Sequence, residues 1–340
     1  MTRLSLLLAL LLAACSGGVP ASGDAASGDA ASGAPPPFRV VETVDWRTDG
    51  IRIAAFNGEF LFDGVGDEGD AVISFEWKGD PAKSRAHRDA VARSIRAIDA
   101  DIVVIPETEN VDVLEMMIEE SLSDLGYSAY LVPGQDSFTG QNIGLLSNIP
   151  VDEVGRTDVR LPVGVSDQRY GVSKNMWARL TIAGRPVTLI GVHFLARPLD
   201  AERAPRRETQ AEVIRQLVEA EMAMGREVVV LGDFNDFDDE TLDRAGSVPV
   251  TDVMARIKRA GPSPDDDLRN AMAEVPQAER FTSLYDRNNN DVIEEGELSA
   301  IDHILLSPGL YSRLREVRYA PVHDPREVSD HFPLVVTLAE

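Results

Sequence analysis

Short apolar runs alternate with amphipathic segments along most of the chain. The apolar runs are rich in Val, Ile and Leu, which is typical of buried strands. They lie at 51–56, 102–105, 127–132, 143–146, 177–182, 187–192, 228–231, 301–306 and 334–338. Between them, apolar residues recur at helical spacing in segments that include Val91, Leu114 and Val213. This alternation predicts an α/β fold in which helices cover β-sheets.

The pattern continues through most of the 340 residues without an internal repeat. After residue 38, no stretch rich in Pro, Gly and Ser separates two halves of the chain. The sequence therefore predicts one domain at 38–340. We expect a four-layer α/β sandwich, in which two packed mixed β-sheets are flanked by helices.

A short basic and apolar segment opens the chain. Arg3 precedes a run of Leu and Ala that is too short to span a membrane permanently, as is typical of a signal peptide. The run ends at Leu12-Ala13-Ala14-Cys15, and Cys15 is the only cysteine. These residues resemble a bacterial lipobox, which implies a lipoprotein signal peptide at 1–14 and lipidation of Cys15. A cleaved secretory signal with a soluble product is the alternative.

Residues 15–37 consist mostly of Gly, Ser, Ala, Asp and Pro. Such a composition has too little apolar surface to fold, and it predicts a flexible linker. Ser16 rather than Asp follows the cysteine, which resembles the outer-membrane sorting pattern of Gram-negative lipoproteins. We expect a monomer in the cell envelope, on the periplasmic or the surface face of the outer membrane, that contacts the membrane through its lipid anchor only.

The charge balance limits which partners the protein can take. The chain has 57 acidic and 33 basic residues, for a formal net charge of −24. Carboxylates repel phosphate backbones, so this balance excludes a protein that coats nucleic acid non-specifically. An anionic substrate would need a local site that includes a cation.

Polar residues follow five of the apolar runs, at the strand ends where a sheet commonly presents catalytic groups. They are Asn57, Glu107, His193, Asp233 with Asn235, and Asp330 with His331. Carboxylate and amide oxygens with imidazoles suit Mg²⁺ or Mn²⁺ chemistry on a phosphate ester. Taken singly, each Asp or Asn could instead cap a turn.

These motifs, with Ile301-Asp302-His303, occur in an order that resembles the endonuclease/exonuclease/phosphatase superfamily. That superfamily has the fold of deoxyribonuclease-I-like nucleases, sphingomyelinases and inositol-phosphate phosphatases. The resemblance covers roughly residues 48–340. It implies that Asn57, Glu107 and Asp330 bind a catalytic Mg²⁺ or Mn²⁺. It also implies that His331 is the general base for an attacking water and that Asp302 orients His331.

The resemblance assigns roles to three further residues. Asp233 and Asn235 would position the water and the phosphoryl group, and His193 would donate to the phosphate or to the leaving oxygen. Asn142, at the start of a predicted strand, is an additional candidate for contacting phosphate.

The resemblance implies a divalent-metal-dependent phosphoesterase, and we expect a phosphodiesterase or nuclease that hydrolyses by direct attack of water. A cluster of Arg203, Arg206 and Arg207 favours nucleic acid as the substrate, whereas the net acidity weighs against it. The first alternative is a phosphatase or a sphingomyelinase-like phospholipid phosphodiesterase. The second is an inactive surface module that binds calcium.

A second metal motif lies at 286–297. The segment matches the twelve-residue EF-hand loop, in which side-chain oxygens at fixed positions bind Ca²⁺. The matching residues are Asp286, Asn288, Asn290, Glu294 and Glu297. Asp291 stands where glycine is usual, and the alternative is an Asn- and Asp-rich hairpin without metal. If the loop binds Ca²⁺, the ion would order the segment that leads to Asp302.

The other histidines have simpler interpretations. His303 follows Asp302 and is expected to be structural. His87 lies among Arg85 and Arg88 on a predicted helix, which favours a solvated position. His323 lies in a loop where exposure is expected, and the alternative is that it lines the cleft.

Overall fold

The computed structural model describes residues 37–66, 69, 73–288, 290 and 292–340. The predicted signal peptide at 1–14, Cys15 and all but the last residue of the predicted linker lie outside the described residues. No helix in the described part of the chain is both long and apolar enough to span a bilayer.

The strands of the described chain are β1 (Ile51–Ala55), β2 (Ile102–Thr108), β3 (Ser128–Leu131), β4 (Asn142–Ser147), β5 (Val151–Gly155), β6 (Leu161–Pro162), β7 (Arg169–Tyr170), β8 (Lys174–Ile182), β9 (Arg185–His193), β10 (Glu227–Asp233), β11 (Arg269–Asn270), β12 (Ser283–Leu284), β13 (Leu298–Ser299), β14 (Asp302–Leu306), β15 (Leu314–Tyr319) and β16 (Leu334–Leu338). Its α-helices are α1 (Pro81–Ile98), α2 (Val111–Met117), α3 (Ala204–Ala223), α4 (Val253–Lys258) and α5 (Pro308–Tyr311). A π-helical turn at Ile118–Leu122 extends α2.

Two six-stranded mixed sheets form the centre of the fold. The first sheet has the strand order β15-β16-β1-β2-β4-β3, and the second has the order β11-β14-β10-β9-β8-β5. Buried side chains of both sheets, among them Ile53, Val104, Leu189 and Val229, pack into one apolar layer between them. Burial of this apolar surface holds the two sheets face to face.

Helices cover the outer faces of the sheets. Val91 and Ile95 of α1, with α2, pack on the outer face of the first sheet. Ile214 of α3 and Ile257 of α4 pack on the outer face of the second sheet. The predicted four-layer α/β sandwich is therefore confirmed.

The first long helix shows how local sequence fixes an element. Pro81 stands in its first turn, and the Asp80 side chain accepts hydrogen bonds from the Ala82 and Lys83 N–H groups. The helix ends at Ile98, and the next residue, Asp99, has a left-handed backbone. Between these ends, the apolar residues recur on the side that faces the sheet.

All nine predicted strand positions contain strands, but two longer strands escaped prediction. They are β5 and β15, at the edges of the two sheets. In β15, Arg315, Glu316 and Arg318 interrupt the apolar pattern. Charged residues are common on edge strands because they oppose pairing with other chains, and they also hide the strand pattern.

A small hairpin forms a two-stranded sheet of its own, separate from the two main sheets. Strands β12 and β13 pair with each other, with Ser283 opposite Ser299 and Leu284 opposite Leu298. The predicted calcium loop at 286–297 connects these two strands.

Candidate active site

Four charged or titratable side chains form one row across the second sheet. Lys174 of β8 is paired with His193 of β9, and His193 is paired with Asp233 of β10. Asp233 is in turn paired with Asp302 of β14. Residues that are directly opposite on neighbouring strands project from the same face of a sheet. The register therefore brings all four side chains to one end of the sandwich.

The first sheet contributes its residues through irregular backbone. Asn57 follows β1, and His331 precedes β16. Glu107 lies at a bulge in β2, where the register shifts between Pro106 and Thr108, and its φ is 63°. A bulge redirects a side chain, and a left-handed backbone is uncommon for a residue other than glycine. These features turn Glu107 towards the second sheet.

The side chains of Asn57, Glu107 and Asp233, here called the active-site cluster, join the two sheets. The Asn57 Nδ2 donates to Glu107 Oε1 at 3.2 Å and to Asp233 Oδ2 at 3.3 Å. Burial raises the pKa of Glu107. Burial, with the Asp302 carboxylate, raises the pKa of Asp233 to about 7. Crowded, buried carboxylates of this kind are stabilised by a divalent cation, and oxygen donors suit Mg²⁺ or Mn²⁺.

A second group of possible ligands overlaps with this cluster. Within the described residues, Asp233, Asp302 and His331 each offer one ligand atom, and these atoms lie within 4.8 Å of one another. However, His331 Nδ1 and Asp302 Oδ2 are already hydrogen-bonded to each other at 2.7 Å. The carboxylates of the active-site cluster therefore fit a hard cation better than this second group does.

His331 and Asp302 form a buried pair that is suited to proton transfer. Both side chains are under a tenth exposed. Burial alone would lower the pKa of His331, but the Asp302 and Asp330 carboxylates outweigh it, so the pKa lies well above its ordinary value. The other ring nitrogen, Nε2, lies 3.9 Å from Asp233 Oδ2. A carboxylate on Nδ1 fixes the orientation of the ring and leaves Nε2 to face a substrate.

His193 and Lys174 lie on the other side of Asp233. The His193 Nε2 is 3.5 Å from Asp233 Oδ2 and 3.9 Å from Glu107 Oε1. Burial, with the nearby charges of Lys174 and His331, lowers the pKa of His193 well below its ordinary value. The ring is therefore neutral and can donate one hydrogen bond.

Two residues at the site were missed by sequence reasoning. The Lys174 Nζ lies 3.5 Å from His193 Nε2 and donates to Gln141 Oε1 at 3.1 Å. Glu59 accepts from the Asp330 N–H at 3.2 Å, and burial, with the Asp330 and Glu107 carboxylates, raises its pKa to about 8. The tight turn between β8 and β9, where Ile182 is opposite Arg185, sets the register that places Lys174 opposite His193.

The remaining predicted residues occupy different positions. Asn235 has a left-handed backbone with φ 46°, and its N–H donates to Asp233 Oδ1 at 2.8 Å. Asp330 lies at the rim, with Oδ1 3.8 Å from His331 Nε2. The Asn142 side chain bonds to the backbone of Gly134 and Glu109, both at 2.5 Å. This side chain ties two loops together, and its contact with phosphate stays a prediction.

Three expectations about individual side chains were wrong. His87 is 5% exposed because it stacks on Trp77 and bonds to Gly58 O. His323 is also buried, and its ring bonds to the backbone oxygens of Ser329 and His331. Arg207 does not belong to a surface cluster, because it is fully buried and paired with Asp236 at 3.0 Å. By contrast, His303 is buried and bonded to Asp236 O, as a structural role requires.

Several oxygen-bearing side chains of the predicted calcium loop form hydrogen bonds within the loop. Glu297 accepts from the Arg287 N–H at 3.0 Å and from the Glu294 N–H at 3.2 Å. Asn288 Nδ2 lies 3.3 Å from Glu294 Oε2, and Asn288 Oδ1 accepts from the Asn290 N–H. Asp286 lies at the start of the loop. These contacts link described residues from the two ends of the loop, and its binding of Ca²⁺ stays a prediction.

Comparisons with known proteins identify the family and the fold of the chain. The sequence model of the Endonuclease/Exonuclease/phosphatase family matches residues 56–331. An AP endonuclease from Archaeoglobus fulgidus has 17% sequence identity and a TM-score of 0.57, over 85% of this chain and 99% of that one. No curated protein matches the chain.

Two further solved structures share the fold. The 3′ phosphatase NExo from Neisseria, bound to a product DNA hairpin, has 18% identity and a TM-score of 0.56, over 85% of this chain and 100% of that one. A truncated TDP2 from Caenorhabditis elegans has 18% identity and a TM-score of 0.51, over 85% of this chain and 98% of that one.

Proposed function

Because the chain belongs to the endonuclease/exonuclease/phosphatase family, we propose that it is a divalent-metal-dependent phosphodiesterase in which water attacks phosphorus directly. Family membership gives the coarser assignment, a hydrolytic phosphoesterase. The observation that carries the finer one is the 2.7 Å hydrogen bond between His331 and Asp302, formed directly beside the active-site cluster. A base and an anionic ligand set are the two parts that water attack on a phosphate ester needs.

The cation would be held by the active-site cluster, with Asp330 at the rim. Bound there, a divalent cation supplies positive charge for the phosphate oxygens and for the leaving oxygen. The Asp233 carboxylate is buried, the Glu107 side chain is 15% exposed, and both accept from the Asn57 Nδ2, so they supply the fixed negative charge for such an ion. Glu59 would add a further carboxylate beside Asp330.

The residues around the cluster would move the proton and hold the phosphate. In its neutral form, His331 accepts the proton of the attacking water at Nε2, while Asp302 keeps the other ring nitrogen protonated. Because the pKa of His331 is raised, this neutral form is favoured by higher pH. Asn235 and Asp233 orient that water. Neutral His193 and the Lys174 ammonium donate to phosphate oxygens from the opposite side of the cluster.

A cleft next to Lys174 favours nucleic acid among the phosphodiesters. It has a volume of about 270 Å³, and its lining includes Phe138, Tyr170 and Arg160. Phe138 is 53% exposed, and the Arg206 guanidinium lies 5.8 Å from the centre of the Tyr170 ring. Exposed aromatic rings beside arginines are typical of surfaces that stack bases and contact their phosphates. A phosphomonoester or a phospholipid head group is the alternative substrate.

A comparison of substrates with and without metal tests the proposal. We expect the purified protein to cleave plasmid DNA, RNA or bis-(p-nitrophenyl) phosphate with Mg²⁺ and to lose that activity in EDTA. His331→Ala should lower kcat by about 10³-fold while the variant keeps its fold. Activity on sphingomyelin alone would favour the lipid substrate. If the parent and the His331→Ala variant are both inactive on every substrate, the calcium-binding surface module is favoured.

We further propose that the loop at 286–297 binds Ca²⁺ and that Cys15 anchors the protein. The EF-hand spacing and the compact contacts of Glu297 support the calcium site. The lipobox-like sequence before Cys15 supports lipidation, and with Ser16 it supports a place at the outer membrane. Mass spectrometry of the mature N-terminus tests the anchor, because an acylated Cys15 differs in mass from a soluble, cleaved product.

A further inference from the structure

The hairpin of β12 and β13 lies between the two segments that carry the proton-transfer pair. Asp302 begins β14 of the second sheet, whereas His331 precedes β16 of the first sheet. The two side chains must stay within 2.7 Å although they belong to different sheets. The hairpin contacts both segments, so it is placed to control the distance between them.

Thr282, directly before β12, makes four hydrogen bonds, and three of them connect it to the two segments. Its hydroxyl accepts from the N–H of Ile301 at 3.1 Å and from the N–H of Asp302 at 3.0 Å. Its carbonyl accepts from the Phe332 N–H at 2.7 Å, and its own N–H donates to Ser299 O at 2.8 Å. Thr282 is fully buried. One side chain thus fixes the backbone at Asp302, while the carbonyl of the same residue fixes the backbone beside His331.

A substitution at Thr282 can remove the hydrogen bonds of the hydroxyl but not those of the backbone. The carbonyl bond to Phe332 is available to any residue at this position, but the bonds to Ile301 and Asp302 need a side-chain acceptor. Valine has the shape of threonine without the oxygen, and it would leave two buried N–H groups unpaired. Unpaired buried donors are costly, so the segment before β14 would shift to find other partners.

We propose that Thr282 is a positioning residue for the His331–Asp302 pair. The proposal rests on the proposed function in one respect, namely that this pair transfers the proton of the attacking water. Displacement of a catalytic group by a fraction of an ångström to one ångström can lower a rate by tenfold to a hundredfold. The hydrogen bonds of the Thr282 side chain go to the backbone of Ile301 and Asp302, and among the described residues none joins it to the active-site cluster or to Asp330.

The test compares Thr282→Val with Thr282→Ser in the purified full chain. Thr282→Val should lower kcat on bis-(p-nitrophenyl) phosphate by about ten- to a hundredfold, with KM within about twofold of the parent. In proton NMR spectra, the downfield signal of the His331 Nδ1–H should move upfield or disappear. Thr282→Ser keeps the acceptor, so it should restore both kcat and the signal.

Thr337→Val is the matched control. Thr337 is also a fully buried threonine, but it lies in β16 and its hydroxyl has no hydrogen-bond partner among the described residues. This variant should keep the parent's kcat and the parent's His331 signal. If Thr282→Val fails to fold, Thr282→Cys takes its place, because a thiol is only a weak acceptor.

The outcomes separate the two proposals. A parent-like kcat and signal in the variant that lacks the acceptor would overturn the positioning role. An equal loss in Thr282→Ser, or in Thr337→Val, would overturn it as well, because the effect would then be general destabilisation. If the NMR series follows the prediction while the parent cleaves no phosphodiester, the positioning role stands and the proposed function fails.

Discussion

The active-site cluster and the loop at 286–297 use similar oxygen donors in opposite surroundings. In the cluster, Asn57 and Asp233 are at most 2% exposed. Among the described residues of the loop, Asn288 and Glu294 are exposed, whereas Glu297 is buried. Burial raises the pKa of Glu107 and Asp233, which means that the ionised cluster costs folding free energy. The two sites therefore differ in how far water reaches their oxygen donors.

This contrast leads to different expectations for the two sites. Dry, crowded carboxylates bind a cation strongly and act strongly on a substrate, because water does not screen them. Solvated carboxylates act weakly on a substrate, and an ion bound there contributes to stability by mass action alone. We therefore expect substitutions in the cluster to alter activity, and substitutions in the loop to alter calcium-dependent stability.

The largest expected effect comes from Glu107→Gln. Loss of this carboxylate should lower Mg²⁺-dependent kcat by about 10³-fold, because one of the buried charges that hold the cation is removed. In EDTA, the same variant should melt about 2 °C higher than the parent, since a buried negative charge beside Asp233 has been neutralised. Steady-state kinetics and thermal melting measure the two effects.

An exposed carboxylate provides the control for Glu107→Gln. Glu153 is paired with Arg179 at the surface, with more than half of its side chain exposed. Glu153→Gln should change neither kcat nor the melting temperature appreciably, because exposed ion pairs contribute little. A lower melting temperature for Glu107→Gln in EDTA would contradict the view that the cluster is strained without a cation.

Sequence reasoning predicted those features of the two sites that a local sequence pattern indicates. Asn57, His193 and Asp233 follow continuous apolar runs, so their place at strand ends could be read directly. The loop at 286–297 could be proposed as a calcium site because the spacing of its oxygen-bearing residues is local. Lys174 could not, because the apolar run at 177–182 begins three residues after it and only the pairing register places it opposite His193.

Other features of the site depend on contacts between segments that are separated in the sequence. His87 was expected on a solvated helix face because of its charged neighbours, but Trp77, which precedes the helix, stacks on its ring. Thr282 lies 20 residues from Asp302 and bonds to it across a hairpin. Neither contact leaves a periodic signal in the sequence, so pattern alone could not have predicted them.

The next expected effect is the pH dependence of stability, which distinguishes the buried scaffold of the site from the loop. Burial lowers the pKa of His87 to about 4 from an ordinary 6.5. Above pH 6.5, His87 is neutral in both the folded and the unfolded chain, so its protonation does not change the folding stability. As the pH falls towards 4, the unfolded chain takes up a proton that the folded chain does not, so folding stability is lost, up to about 3 kcal/mol.

His87→Gln removes that proton linkage while it keeps a side chain that can donate to Gly58 O. Urea unfolding between pH 7 and pH 4 should therefore show a smaller loss of stability in the variant than in the parent. His323, whose pKa is also lowered to about 4 by burial, should give a parallel result with His323→Gln. Equal losses in the parent and both variants would show that these rings are not the source of the acid sensitivity.

The smallest expected effect belongs to the loop. Ca²⁺ at ten times its dissociation constant stabilises a protein by about 1.4 kcal/mol, which raises the melting temperature of a chain of this size by about 2 °C. The double variant Asp286→Ala/Glu297→Ala should lose this increase and keep its Mg²⁺-dependent kcat.

Asp167→Ala/Glu202→Ala, which removes two exposed carboxylates elsewhere, should retain the increase. If Ca²⁺ fails to raise the parent's melting temperature, the loop is an Asn- and Asp-rich hairpin without metal. If the loop variant instead loses kcat as Glu107→Gln does, the division between a site for activity and a site for stability is wrong.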